Sequence, residues 1–143
     1  MATGDMRQRF LDLRRALYEQ HDLSAVDDAI HPNFTSHNAL VPGQGIAAYK
    51  SFVQNLFFKG VPDLRPLSQQ VVVEGDRLMA MTRWQATHTG PFLGVAPTGK
   101  VLHFETADLY RIEDGLLREH WDVVDRLDAS VALGLLRPAD RAG

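Results

Sequence analysis

The segment VLHFETADLYRIEDGLLREHWDVVD, residues 101–125, holds two runs of strand character on either side of Asp114-Gly115. Such runs flanking a turn dipeptide spell an antiparallel hairpin. Its register matters, because a slip of one residue exchanges the two faces. A two-residue loop at Asp114-Gly115 pairs Glu113 with Leu116 and puts Asp108 and Asp122 on opposite faces. A type I turn closed by a glycine bulge pairs Ile112 with Leu116 instead, with Gly115 as the left-handed residue. Asp108, Tyr110, His120 and Asp122 then share a face, with Asp108 opposite His120 and diagonal to Asp122. Ala107, Leu109, Leu117, Trp121 and Val123 share the other. The bulged form separates ionisable from apolar groups and is the expected one. The charged face would line a cavity, and a second copy of the chain would cover the apolar face.

Outward from this hairpin, helical spacing governs the N-terminal part. Met6, Phe10, Leu13 and Leu17 form one stripe, and a short second helix, LSAVDDAI, ends before Pro32. The extended piece NFTSHNA runs into the turn cluster Pro42-Gly43-Gln44-Gly45, and a third helix carries Ile46, Tyr49, Val53 and Leu56 on one side. From Pro62 the period changes to that of strands: LSQQVVV and RLMAMTRWQATH join at Glu74-Gly75-Asp76, and the loop TGPFLGVAPTGK leads into the last hairpin. A short helix, ASVALGLL, follows it. Helices first and an antiparallel meander afterwards predict an α+β fold, with helices packed on one face of a curved sheet.

The 143 residues suit a single domain over 1–143. A net charge of −3 leaves no electrostatic footprint for nucleic acid or an anionic membrane. With no cysteine there is neither a disulfide nor a thiol nucleophile. The first residues, MATGDMRQRFLDLRR, lack the apolar run of a signal peptide, and no segment is apolar enough to span a bilayer, so the expected location is cytoplasmic. The six histidines show no HExxH spacing, and no phosphate- or dinucleotide-binding glycine pattern or GxSxG occurs. No metal or cofactor is expected.

Acid–base chemistry is what the remaining residues suit. An aspartate in an apolar pocket has its charged form disfavoured, which suits it to exchange protons beside a carbonyl. Asp122 is the candidate, with His120, Asp108 and His88 as tuners or partners. The competing readings are structural: an ion pair of Asp108 with Arg118 or Arg83, and a satisfied core histidine at His88. Stripe and alternation assign the pocket wall to Phe34, Tyr49, Phe52, Phe57, Trp84, Phe92 and Tyr110.

The loop THTGPFLGVAPTGK, the hairpin RIEDGLLREHWDVVD and the following ALGLL, together with HPNF and SHNALVPGQGIAAYKSF upstream, resemble the SnoaL-like polyketide cyclase and ester cyclase family. The resemblance runs from about residue 8 to 136. It implies a cone of the nuclear transport factor 2 type enclosing a pocket, in homodimers or higher oligomers, acting on a small hydrophobic substrate. It further implies cofactor-free aldol-type cyclisation with one aspartate as general acid/base, here Asp122. Those cyclases carry a histidine where this chain has Asp108, whereas His88 matches a family histidine. Two other functions fit the same architecture: an epoxide hydrolase-like enzyme using Asp108 and Asp122, with an arginine reaching in from another strand, and a non-catalytic module that binds a hydrophobic ligand and dimerises.

Overall fold

The computed structural model describes residues 3–139. Helix α1 (Thr3–Tyr18) is followed by a 3-10 turn, α2 (Val26–Ala29), strand β1 (Ile30–Ser36) and α3 (Gly45–Phe52). Strands β2 (Arg65–Glu74), β3 (Arg77–Thr87), β4 (Val101–Glu113) and β5 (Leu116–Asp125) then form a meander, closed by α4 (Leu127–Ala132). The sheet order is β1-β5-β4-β3-β2, with β1 parallel to β5 and the other neighbours antiparallel. The result is an α+β fold with an open, mixed sheet.

Strict alternation shapes the sheet. Along β3, Leu78, Ala80, Thr82, Trp84 and Ala86 are buried while the residues between them face out. The α1 stripe of Met6, Phe10, Leu13 and Leu17 packs on this inner face together with Phe34, Tyr110 and Leu117. A second apolar cluster, with Trp84, Phe92, Leu102 and Leu133 among its members, fills the other end of the cone. Helix α3 passes into a π-helical segment, Val53–Phe58. Its wider turn spreads the apolar residues between the two clusters: Val53 joins the first, while Leu56 and Phe57 pack on the second. Pro32 does not follow a helix end directly, since α2 stops at Ala29 and Pro32 lies inside edge strand β1. The β1–β5 register is irregular between Ile30 and Thr35, where a missing N–H breaks no ladder.

The β4–β5 hairpin corrects the expected register. Its loop is the two-residue form: Glu113 pairs with Leu116, and Asp114 and Gly115 both take positive φ, 55° and 72°. Asp-Gly tolerates this mirror-image turn, whose twist matches that of the strands. The extra residue enters further along, because Ile112 pairs with Leu117 but Arg111 with Glu119, leaving Arg118 as the bulge. Asp108 therefore lies opposite Asp122, and Tyr110 opposite His120. All four still share the inner face. Leu117, expected on the outer face, is instead fully buried in the core, because the bulge follows it.

One buried cation ties α1 to the sheet. The Arg14 guanidinium donates to Gln69 Oε1 of β2 at 3.2 Å, Thr82 Oγ1 of β3 at 2.6 Å and Asp108 Oδ2 of β4 at 3.2 Å. It also lies over the rings of Phe10 and Trp84, 4.5 and 4.9 Å from their centroids. Burial pushes the Asp108 carboxyl up, but the His120 hydrogen bond, the Arg14 charge and the Thr106 hydroxyl outweigh it and hold the group below the ordinary aspartate range. With its pKa lower folded than unfolded, Asp108 contributes stability above the unfolded value, about 3.9, that is lost as pH falls through the folded value. Asp108→Asn should lower stability at neutral pH by about 3 kcal/mol, since it leaves a buried cation unpaired. It should also flatten the acid limb of a denaturant-melt pH series below about pH 4; an unchanged limb would show that Asp108 carries no such linkage.

Candidate active site

The inner face of β4 and β5 and the helices above it enclose a cavity of about 110 Å³. Its walls are mostly apolar, and its polar groups converge on the hairpin face. Thr106, Asp108, Tyr110, His120 and Asp122 come from β4 and β5, Arg14 and Tyr18 from α1, and Asn38 from the segment after β1.

Asp108 is the centre of this group. Its Oδ1 pairs with His120 Nε2 at 2.8 Å, while Oδ2 accepts from Thr106 Oγ1 at 2.8 Å as well as from Arg14. The other ring nitrogen of His120, Nδ1, lies 2.9 Å from Ser36 Oγ, which also accepts from the Asn38 backbone N–H. A hydroxyl at Nδ1 can donate to the neutral ring or accept from the protonated one, so His120 is satisfied in both states without moving. The Asn38 amide then donates to Asp122 Oδ2 at 2.6 Å. One donor or acceptor atom from each of Asp108, His120 and Asp122 lies within 4.8 Å of the other two. Such a set has the spacing of a divalent-metal site. Here Asp108 and His120 are bonded to each other and Arg14 is ion-paired to the same carboxylate, so two of the three donors are already engaged.

Phenols line the cavity too. Burial pushes Tyr18 up to about 12 and Tyr49 well above the ordinary range. Burial, reinforced by the Asp108 charge, does the same to Tyr110. All three are neutral hydrogen-bond donors at any working pH.

The structure brings together three of the four residues singled out for acid–base work: Asp108, His120 and Asp122. His88 stands apart. It is completely buried outside the cavity, with Nδ1 against Thr98 Oγ1 at 2.9 Å and Nε2 against the Val95 carbonyl at 3.2 Å. It fastens the loop of residues 88–100, which is pressed so close to the preceding helix that a Cβ at Gly90 would lie 1.7 Å from the Lys59 carbonyl oxygen. Of the expected wall, Tyr49, Phe52, Phe57, Trp84, Phe92 and Tyr110 line the cavity. Phe34 lies behind it, packed on Tyr49 and His120. Neither arginine considered for Asp108 reaches it: Arg83 pairs with Glu105 at 3.0 Å and Arg118 with Glu113 at 3.3 Å. Arg14 takes that place. Its signal was in the sequence, for Phe10, Leu13, Arg14, Leu17 and Tyr18 follow the spacing of one buried helix face, with a cation inside it. Asn38 gave no such signal, lying in an irregular segment beyond a strand end.

Solved structures share this fold. TsrD from Streptomyces laurentii superposes with a TM-score of 0.82 at 27% identity, covering 95% of this chain and 100% of that one. AclR, a candidate hydroxylase from Streptomyces galilaeus, gives 0.82 at 26% identity, covering 98% of this chain and 91% of that one. A candidate polyketide cyclase from Acidithiobacillus ferrooxidans gives 0.80 at 24% identity over 96% of this chain and 100% of that one, a likeness of fold. No curated protein matches the chain. The family model described as SnoaL-like polyketide cyclase matches residues 7–133. With that match running over nearly its whole length, the chain belongs to the SnoaL-like polyketide cyclase family.

Proposed function

We propose that this protein is a cofactor-independent cyclase or isomerase of a polyketide-type, carbonyl-bearing hydrophobic molecule, with Asp122 as general acid/base. One observation carries the reading: Asp122 is half-buried on the wall of an apolar cavity, directly opposite Asp108, with one carboxylate oxygen held by Asn38 and no donor on the other among the described residues. Its neighbour is engaged by Arg14, His120 and Thr106, which leaves Asp122 as the carboxylate able to meet a substrate.

In an aldol cyclisation, Asp122 takes a proton from the carbon beside one carbonyl, giving an enolate. That carbon bonds to a second carbonyl carbon of the same molecule, and the alkoxide so formed recovers the proton from Asp122. A phenol of Tyr18 or Tyr49 supplies the hydrogen bond that the developing oxyanion needs. An isomerisation uses the same first step and returns the proton to a different carbon.

A second reading, hydrolysis of an epoxide by the Asp108–Asp122 pair, gains support from the Arg14–Asp108 ion pair, because an arginine does reach that carboxylate. The same pairing counts against it, as an ionised Asp108 has no proton to give the opening ring. On a substrate identified by turnover, Asp122→Asn should slow the reaction about 10²–10⁴-fold, with a melting temperature close to that of the wild type. Undiminished turnover would remove Asp122 from the mechanism. Reaction in ¹⁸O-water separates the two chemistries, since only hydrolysis leaves a new solvent oxygen at a ring carbon.

We further propose a homodimer through the outer sheet face. Val72, Met79, Leu109 and Trp121 are cross-strand neighbours in one apolar row, and Met81, Ala107 and Val123 form the next. Val123, Val72, Met81 and Met79 are 74%, 62%, 58% and 41% exposed, a contiguous patch of the kind that isolated soluble chains rarely leave uncovered. Sedimentation should give a dimer for the wild type and a monomer for Met81→Lys/Val123→Asp; a wild-type monomer would refute the interface.

A further inference from the structure

Arg126 is the charged side chain on the cavity wall that has no protein partner among the described residues. Each of the others is engaged: Arg14 with Asp108, and Asp122 with Asn38. Arg126 stands at the N-cap of α4 but makes no side-chain cap. Its acidic neighbours turn elsewhere. Asp125 and Asp128 line a separate groove with Arg83 and Glu105, and Asp125 Oδ1 accepts from the Leu127 N–H. Arg126, flanked in sequence by two carboxylates, thus lines the cavity while they line the other groove.

Its position just past the end of β5 is equally specific. Asp122, Val124 and Arg126 alternate along the chain and all line the cavity, so Arg126 lies two strand steps beyond the proposed acid/base. Two such steps span roughly 13 Å. Arg126 and Leu40 are the exposed members of the lining and mark the mouth. Trp84, Phe92 and Phe104 offer flat apolar walls in the same lining.

We propose that Arg126 is a specificity-determining residue that binds a carboxylate on the outer end of the substrate. The ligand class becomes an elongated, unsaturated carboxylic acid, entering with its apolar body against the aromatic walls and its anionic end at the mouth. A planar, two-donor guanidinium fits a carboxylate edge-on, and an ester in its place loses the charge and half of that geometry. The inference rests on reading the cavity as a substrate pocket.

The test uses 2-naphthoate and methyl 2-naphthoate as probes, with quenching of Trp84 fluorescence as the readout. The wild type should bind the acid roughly three- to tenfold tighter than the ester at low salt, as suits a charge-assisted contact at a solvent-exposed mouth. High salt should erode that preference. Arg126→Gln should abolish it and leave the ester affinity within about twofold, whereas Arg126→Lys should keep part of it. Equal binding of acid and ester by the wild type, or a preference that survives in Arg126→Gln, overturns the assignment. If neither probe binds the folded protein, the substrate-pocket reading itself fails, and this inference with it.

Discussion

The ion pair between Arg14 and Asp108 is the constraint on which this structure turns. It crosses from the first helix to the middle of the sheet, and the guanidinium that makes it also holds β2 and β3 through Gln69 and Thr82. Burying one of these charges alone would be costly, so α1 and the sheet must come together with both present. That requirement fixes where the roof of the cavity sits above its floor. It also fixes a negative charge beside His120, giving the imidazole a partner on one side while Ser36 provides one on the other.

A division of labour between two carboxylates follows from this. Asp108 and Asp122 face each other across the hairpin, yet their surroundings differ. Asp108 accepts from Arg14, His120 and Thr106 and is held ionised, whereas Asp122 accepts from one neutral amide. In the function proposed above, Asp108 is the fixed charge that organises its neighbours and Asp122 is the group that meets the substrate. The bulge at Arg118 produces this opposition, because without it Asp108 and Asp122 would lie on different faces.

Much of the architecture was legible in the sequence because periodicity reports burial. The stripe of Met6, Phe10, Leu13 and Leu17 and the strands flanking Asp114-Gly115 carried it. The shared face of Asp108, Tyr110, His120 and Asp122 was read correctly by a wrong route, since the bulge was expected in the loop and occurs after Leu117. The chain has one extra residue in either case, so the parity survives while the pairing shifts. Leu117, on the far side of the true bulge, was therefore assigned to the wrong face. The site was less legible than the fold. His88 reads from the sequence either as a partner of Asp122 or as a satisfied core histidine, and its contacts are Thr98 and Val95, which no strand pattern places beside it. Arg14 required the opposite inference, that a cation inside an apolar stripe must have a buried anion to meet.

The account turns on Asp108 being a fixed negative charge, and ¹³C NMR of the labelled aspartate carboxyls followed against pH measures this most directly. Asp108 should titrate below the ordinary aspartate value of about 3.9, and its carboxyl signal should respond when the Arg14 contact is removed by Arg14→Met. An Asp108 carboxyl that takes up its proton at or above that value would contradict the account, because Arg14, His120 and Thr106 would then not outweigh burial in favouring the charged form.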